Sequence, residues 1–139
     1  MRICVIDGQG GGIGSTIIRR LKAEFQEKIE IVALGTNSIA TSAMMKAKAN
    51  KGATGENAII RTVATVDVIV GTLGIIIANS MMGELTPKMA EAICSCSARK
   101  ILLPLFQERI EVIGVTPEPL PHLVEHLVTK RIKECIDDV

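Results

Sequence analysis

Apolar residues along this chain follow two alternating patterns, one with the length of a buried strand and one with the period of a helix. Residues 2–7 and 66–70 are short apolar runs, whereas apolar residues between Ile13 and Phe25 recur every four positions, with charged residues on much of the other face. Strand-length runs that alternate with helical stretches are typical of βαβ units. The pattern therefore predicts an α/β fold with a mostly parallel sheet and helices on both of its faces.

The pattern places about five strands and six helical stretches in chain order. Strands are predicted at residues 2–7, 30–34, 66–70, 100–105 and 110–115. Helices are predicted at residues 13–25, at 39–48, after the loop 53–57 up to residue 62, at 75–82, at 87–97 and at 120–135. Only about four residues separate the last two strands, which is too few for a parallel crossover. We therefore expect strands four and five to form an antiparallel hairpin or to bend sharply.

One helix start is marked by residue type. Thr86 stands where a cap residue accepts a backbone N–H, and Pro87 stands at the first helical position, where its missing N–H costs nothing. The pair predicts a helix that begins at Pro87.

Composition narrows the class of protein. The chain has 139 residues, the size of one domain, and 47% of them are apolar, which is enough for a buried core. Its net charge of +1 results from 16 basic and 15 acidic side chains, and its only aromatic residues are Phe25 and Phe106. Two aromatic side chains are too few to stack a row of exposed bases. We expect a single domain, residues 1–139, that does not bind nucleic acid.

The N-terminal residues and the cysteines indicate a cytoplasmic protein without a membrane span. Residues 1–7 have the pattern of a strand that leads directly into glycines, so we expect no leader peptide, and polar residues interrupt the longest apolar stretch, residues 66–82. Its four cysteines have irregular spacing, so we expect reduced thiols and no metal site. His122 and His126 form an H-x-x-E-H pattern, but only 13 residues follow them for a third zinc ligand, so we expect both to face solvent.

The turn after the first strand carries the most informative chemistry. Its residues are Asp7, Gly8, Gln9, Gly10, Gly11, Gly12, Ile13 and Gly14. Glycines let the chain turn tightly, bring its backbone close to a ligand and pack a helix start against a strand. The amides and the positive dipole end at a helix start favour a phosphate or a carboxylate. We expect this turn to hold the phosphate of a nucleotide-like ligand, although a close strand–helix crossing accounts for one or two of its glycines.

Two motif comparisons limit the ligand and the reaction. Gly8, Gly12, Ile13 and Gly14 resemble the T-G-x-x-x-G-I-G turn of short-chain dehydrogenases, with Asp7 in place of Thr. That family also has a Tyr-x-x-x-Lys element, and the chain contains no Tyr, so we exclude a working short-chain dehydrogenase. After strand two, G-T-N stands in place of the acidic residue that binds a ribose in dinucleotide-binding proteins. NAD(P) and a mononucleotide both stay open as the ligand.

A broader resemblance covers nearly the whole chain. The blocks that carry it are D-G-Q-G-G-G-I-G from Asp7, G-T-N from Gly35, A-T-G-E-N-A from Ala53, A-N-S with a following G-E from Ala78, and T-P at Thr86. They resemble those of a family of small bacterial proteins that is labelled only as a domain of unknown function. The resemblance implies a small Rossmann-like, nucleotide-binding-like α/β protein with no assigned substrate.

Other polar residues and glycines fall where a ligand would lie, since ligands of open α/β sheets bind beyond the carboxyl ends of the strands. Further candidates for cofactor binding at those ends are Thr36, Asn37, Gly71, Thr72 and Gly74. Candidates in loops that would fold over the crevice are Thr54, Glu56, Asn57, Asn79, Ser80 and Glu84. A loop hydrogen bond or a helix cap accounts equally well for any one of them. Asp7 likewise either binds a ligand or bonds the amides of the glycine turn.

Three function classes stay open. The chain is a nucleotide-binding protein, an enzyme that acts on a small phosphorylated or carboxylated metabolite with Asp7, Glu56 or Glu84 as acid or base, or an oligomeric scaffold without catalysis. Residue patterns do not decide whether a reaction follows binding. The expected partners are a phosphorylated small molecule and a second copy of the chain.

We predict that the protein forms a homodimer. The run 75–82 holds more apolar side chains than one sheet face can cover, so part of it is expected to lie at a subunit contact. Light scattering at tens of micromolar should give about twice the mass of one chain. The mass of a single chain at that concentration would contradict the prediction.

Overall fold

A parallel sheet of five strands forms the centre of the protein, in a computed structural model that describes residues 1–106 and 108–138. The strands are β1 (Arg2–Asp7), β2 (Glu30–Gly35), β3 (Lys51–Thr54), β4 (Val68–Thr72) and β5 (Arg99–Leu103). Their order across the sheet is β3-β2-β1-β4-β5, and every neighbouring pair is parallel. The predicted α/β fold with a five-stranded sheet is confirmed.

The strand order reverses between β1 and β4. From β1 the chain moves outward through β2 to β3, and then returns to the other side of β1 to form β4 and β5. At such a reversal the connections leave the carboxyl ends of the two strands in opposite directions, which opens a crevice between them.

Helices cover both faces of this sheet. They are α1 (Gly12–Phe25), α2 (Ser38–Lys46), α3 (Glu56–Val63), α4 (Pro87–Ser95), α5 (Leu120–His126) and α6 (Lys133–Asp137). A π-helical stretch, Leu127–Ile132, joins α5 to α6, and the three together make one C-terminal helix. Within the described ranges, none of the helices combines the length and the apolarity that a membrane span needs.

Alternate residues of the central strands point into two separate cores. Ile3 and Val5 lie in the core under α1, α2 and the C-terminal helix, whereas Cys4 and Ile6 lie in the core under α3 and α4. Because both faces are covered, the central strands consist of almost continuous apolar runs. The predicted helices on both faces are confirmed, and the carboxyl ends of the strands are left as the place where polar groups gather.

The predicted antiparallel hairpin of strands four and five is wrong. Residues 100–105 correspond to β5, which runs parallel to β4, but residues 110–115 form no strand. Pro104 and a tight turn in which the Leu105 amide bonds the Leu103 carbonyl divert the chain directly after β5. The side chain of Ile113 is consequently 98% exposed.

The sheet also contains β3, a strand that the sequence pattern does not predict. Its last two residues lie in the loop that is predicted at residues 53–57. Its residues, K-G-A-T, include no large apolar side chain, so their hydrophobic pattern contains no strand signal. The strand forms because β2 offers its open edge, with Val32 opposite Lys51 and Gly35 opposite Thr54. Tertiary pairing here overrides a weak local preference.

The predicted helix at residues 75–82 is also wrong. Only a short 3-10 turn, Leu73–Ile76, is present there, and turns follow it. Asn79, Met81 and Met82 have left-handed backbone conformations, with φ of 67°, 57° and 58°, which a helix does not permit. Ile75 is fully buried in a core while Met82 is 96% exposed, so the run does not present one continuous apolar surface.

The predicted start of α4 is confirmed. The Met89 amide donates to the Thr86 hydroxyl oxygen at 3.2 Å, and the same hydroxyl donates to Glu56 Oε2 at 2.6 Å. Thr86 therefore caps α4 and connects it to the first turn of α3, where Glu56 lies. The helix ends at Ser95, two residues before its predicted end.

We predict that Thr86→Ala lowers the free energy of unfolding by about 1 to 2 kcal/mol, because it removes the cap of α4. Thr86→Ser keeps a hydroxyl in the same place and should stay within a few tenths of a kcal/mol of the wild type. Urea unfolding followed by circular dichroism measures both. Equal midpoints for the Ala and Ser variants would contradict the assignment of the cap.

Candidate functional site

A pocket of about 530 Å³ opens at the carboxyl ends of β1 and β4, where the strand order reverses. It is lined by Asp7, Gly8, Gln9, Ile13, Thr72, Gly74, Ser80, Met81, Met82, Leu105, Phe106 and Glu108. These residues come from the glycine turn, from the loop after β4 and from the segment after β5. The volume and the mixture of apolar and polar walls are typical of a site for a small molecule.

Three glycines of the turn are required by packing. A Cβ on Gly8 would lie 2.5 Å from Thr36 Oγ1 and 2.6 Å from Met81 Sδ, and one on Gly14 would lie 2.7 Å from Met44 Sδ. Gly11 has φ of 73°, and its Cβ would lie 2.8 Å from the backbone of Ala40. A side chain at position 11 would push against the Ala40 backbone, and one at position 8 or 14 would force neighbouring side chains to shift, so packing accounts for these three glycines without a ligand.

Two glycines of the turn have no such packing role. A Cβ on Gly10 or Gly12 would have no atom within 4 Å, and neither residue has a positive φ. Both are exposed to solvent. The internal structure of the protein therefore does not explain why these two positions lack side chains.

Asp7 joins the end of β1 to the start of α1. Its Oδ1 accepts from the Gly8 amide at 2.8 Å and its Oδ2 accepts from the Gly14 amide at 2.7 Å. Burial raises the pKa of the Asp7 carboxyl above its ordinary value of 3.8, while the two amide bonds oppose this effect and the Glu84 carboxylate adds to it. Of the two roles that the sequence leaves open for Asp7, this geometry provides the bonding of the turn's amides.

A second carboxylate, that of Glu84, holds the outer side of the turn. Its Oε1 accepts from the Gln9 amide at 2.9 Å, from the Thr36 hydroxyl at 2.6 Å and from Asn37 Nδ2 at 2.9 Å. The bond from Thr36 is the largest of the causes that lower the pKa of the Glu84 carboxyl below its ordinary value of 4.5, followed by the bond from the Gln9 amide. Glu84 thus connects the loop after β4 with the turn and with the end of β2.

Thr36 and Asn37 are occupied by this internal network. Asn37 also caps α2, since its Oδ1 accepts from the Ala40 amide at 2.8 Å, and its Nδ2 donates to the Gln9 carbonyl as well. Neither residue lines the pocket. The helix-cap reading, which the sequence leaves open, describes Asn37.

The two carboxylates leave part of the turn's donor groups unused. The amides of Gly8 and Gly14 bond Asp7, that of Gln9 bonds Glu84, and that of Gly11 bonds the Gly8 carbonyl at 3.0 Å. In the described part of the chain, the amides of Gly10, Gly12 and Ile13 have no acceptor. Two of these three belong to the first turn of α1, where the helix itself provides no acceptor.

The opposite wall of the pocket is formed by residues after β4. Thr72, at the end of that strand, is only 7% exposed, and its hydroxyl has no hydrogen-bond partner among residues 1–106 and 108–138. Every fully buried polar side-chain atom of those residues has a partner, so the Thr72 oxygen must reach the open space of the pocket. Ser80 is buried and donates to the Gly74 carbonyl, which holds the loop after β4 closed on itself.

Gly71 precedes this wall and does not line the pocket. A Cβ there would lie 2.9 Å from the Ile6 carbonyl oxygen and from Ile75 Cδ1. Packing between β4 and β1 therefore accounts for this glycine, whereas Gly74 has its nearest neighbours at 3.3 Å or more.

Like Glu84, four other predicted loop candidates do not line the pocket. Thr54 shares a hydrogen bond of 2.7 Å with Thr41, and Glu56 accepts from Thr86, so both have structural partners. Asn57 and Asn79 are exposed and do not line the pocket. A residue that closely follows a strand in the sequence therefore does not necessarily place its side chain in the crevice.

Sequence patterns miss the apolar wall of the pocket. Leu105, Phe106 and Glu108 follow β5, and Met81 and Met82 lie in the loop after β4. Leu105, Phe106 and Glu108 could have been found by the argument applied to residues 71–74, because they too lie at or just after the end of a strand of the parallel sheet. The hairpin predicted at this place assigned Leu105 to the end of a strand and the other two residues to the turn.

The histidines and cysteines lie apart from the pocket. His122 and His126 are exposed, as predicted. Cys4 is fully buried in β1, where loss of hydration raises the pKa of its thiol. The described ranges contain no group of three or more His, Cys, Asp or Glu side chains arranged to hold a metal ion.

Comparison with known proteins identifies a family. A family model described as "Domain of unknown function (DUF3842)" matches residues 2–136. No curated protein and no solved structure matches the chain. The match confirms the resemblance that the sequence blocks indicate, and it carries no activity and no ligand.

We predict that Glu84 stabilises the fold in a pH-dependent way. Its pKa is lowered in the folded protein, so its contribution is present above its ordinary value of 4.5 and is lost as pH falls through the folded value. Glu84→Gln keeps an acceptor oxygen but not the charge. The free energy of unfolding of the wild type should exceed that of the variant at about pH 6, and this difference should shrink towards about pH 3.

Chemical unfolding at several pH values measures this difference. Asp7, whose pKa is raised in the folded protein, is present in both proteins. Its contribution to the pH dependence therefore largely cancels when the two free energies of unfolding are subtracted. A difference between the two proteins that does not change with pH would show that the charge of Glu84 has no part in holding the turn.

Proposed function

We propose that this chain, which belongs to the family described as "Domain of unknown function (DUF3842)", binds the phosphate of a nucleotide or of another small phosphorylated ligand in the pocket between β1 and β4. The observation that carries the proposal is the contrast among the glycines of the turn. Three are explained by internal packing, whereas Gly10 and Gly12 have open space in front of them and lie beside unused amides.

The unused amides supply the attraction for a phosphate. The N–H groups of Gly10, Gly12 and Ile13 lie at the N-terminus of a 14-residue helix, where the partial positive charge of the helix favours an anion. A phosphate oxygen must come within about 3 Å of an amide nitrogen to accept its hydrogen. Side chains at positions 10 and 12 would obstruct that approach, which gives a physical reason for glycine at both.

The rest of the ligand would extend over β4 and β5 rather than over β2. Thr36, Asn37 and Glu84 bond one another and the turn, so the end of β2 has few polar groups left for a ribose. The Thr72 hydroxyl and the apolar side chains of Leu105 and Phe106 are available on the other side. This placement favours a mononucleotide or a ligand of similar size over NAD(P).

An enzyme that acts on a small phosphorylated or carboxylated metabolite is the second candidate. Of the three acids named for it, Glu56 bonds Thr86 and Glu84 bonds the turn, whereas Asp7 lines the pocket. Burial raises the pKa of Asp7, which brings the carboxyl closer to the range where it exchanges protons. Asp7 is therefore the acid–base group that this alternative requires.

A scaffold that self-associates without catalysis is the third candidate. The side chains of Met82 and Ile113 are 96% and 98% exposed, and such exposed apolar side chains favour a contact with a second copy of the chain. A homodimer is compatible with ligand binding, so light scattering with and without ligand separates this role from the first two.

The proposal predicts that Gly12→Val abolishes binding without unfolding the protein. The ligand is first identified by mass spectrometry of what the freshly purified, denatured protein releases, and by a thermal-shift panel of nucleotides. Because a Cβ at position 12 has no atom within 4 Å and the residue does not have a positive φ, the variant should melt within a few degrees of the wild type. Its affinity should fall at least tenfold, about 1.4 kcal/mol, in isothermal titration.

Two further variants serve as controls. Ala23→Val places the same side chain at an exposed position near the other end of α1 and should bind as the wild type does. Gly11→Ala must adopt a left-handed backbone against Ala40, so it should lose about 1 kcal/mol or more of stability. If Gly12→Val binds the ligand normally, the turn is a packing device and the phosphate site is refuted.

A further inference from the structure

The lining of the pocket between β1 and β4 contains the Asp7 carboxylate. No Lys, Arg or His lines this pocket within the described ranges. Glu84 lies just outside, bonded to the Gln9 amide. Any anion that enters therefore meets carboxylates and finds no side-chain cation.

The positive potential of the glycine turn is small. A helix N-terminus carries the equivalent of about half an elementary charge, delivered through its unbonded amides. Asp7 already accepts from the amides of Gly8 and Gly14, which leaves those of Gly10, Gly12 and Ile13. About half an elementary charge falls far short of the two negative charges of a dianionic phosphate, whereas a monoanion leaves much less charge unbalanced.

The Thr72 hydroxyl independently indicates that a ligand enters this pocket. The residue is 93% buried at the end of β4, its oxygen has no partner in the described part of the chain, and it lines the wall that faces the turn. Because this oxygen reaches the open space of the pocket, it is available to hydrogen-bond a polar group of a bound ligand. A hydroxyl is uncharged, so it adds a hydrogen bond to the site and no positive charge.

We propose, on the basis of the proposed function, that the pocket selects ligands with one negative charge on each phosphorus, such as phosphodiesters, and discriminates against terminal phosphates and polyphosphates. A terminal phosphate carries close to two charges above pH 7. The second charge would face Asp7 with no cation to balance it. The substrate class is thus a nucleotide whose phosphate is esterified on both sides, rather than a nucleoside triphosphate.

Dimethyl phosphate and monomethyl phosphate are small probes that differ in the charge of the phosphate group. Dimethyl phosphate carries one charge, whereas monomethyl phosphate carries about two at pH 8. Titration of each into ¹⁵N-labelled full-length protein, with the amide resonances of Gly10, Gly12 and Ile13 followed by NMR, gives two dissociation constants. We expect dimethyl phosphate to bind roughly threefold or more tightly than monomethyl phosphate, and inorganic tripolyphosphate to bind more weakly than either.

A matched pair of variants tests whether charge causes the preference. Met82 lines the rim of the pocket and is 96% exposed, so Met82→Lys adds a cation there without disturbing a core. Met82→Gln adds a polar group of similar length without charge. The Lys variant should reduce the preference for dimethyl phosphate by roughly threefold or more, while the Gln variant should leave it unchanged.

The outcomes separate this inference from the proposed function. If monomethyl phosphate or tripolyphosphate, with or without Mg²⁺, binds at the three amides as tightly as dimethyl phosphate, charge selection is refuted and the phosphate site stands. An unchanged preference in Met82→Lys likewise refutes charge as its cause. If no probe shifts the three amides at tens of millimolar, the phosphate site itself is refuted, and the inference fails with it.

Discussion

The site depends on one interaction, the pair of hydrogen bonds that the Asp7 carboxylate accepts from the amides of Gly8 and Gly14. These bonds connect the last residue of β1 to the first turn of α1 and so set the path of the turn between them. The close contact of Gly14 with Asp7, where a Cβ would lie 3.0 Å away, is a consequence of the same geometry. The amides and the helix dipole favour the charge of this carboxylate and so oppose the effect of burial, which raises its pKa.

Glu84 completes this arrangement from the opposite side. It reaches across from the loop after β4 and bonds Gln9, Thr36 and Asn37, which joins the ends of three strands in one network. The left-handed conformations of Met81 and Met82, just before it, are unfavourable for residues with side chains and persist where the surroundings hold them. Their position beside the pocket places this strained loop next to the candidate ligand.

The two carboxylates also limit what the pocket can bind. They use three amides of the turn for the fold itself, so a ligand has only the remaining ones, and each carboxylate adds negative charge near it. A glycine-rich turn is therefore not equivalent to a strongly cationic phosphate site. Under the proposed function, the selectivity of the turn would follow from the balance between a few unbonded N–H groups and the acids that hold the turn in shape.

The sequence alone determined the α/β class, the central strands, the covered sheet faces, the start of α4 and the tight turn between β1 and α1, because apolar period, capping residues and glycine spacing are local properties. Tertiary structure decided what local patterns do not contain. β3 forms because β2 offers an open edge, and residues 110–115 form no strand because the chain turns away after β5. Whether a glycine serves packing or stays open, and whether Asn37 or Thr72 has a partner, depends on neighbours far away in the chain.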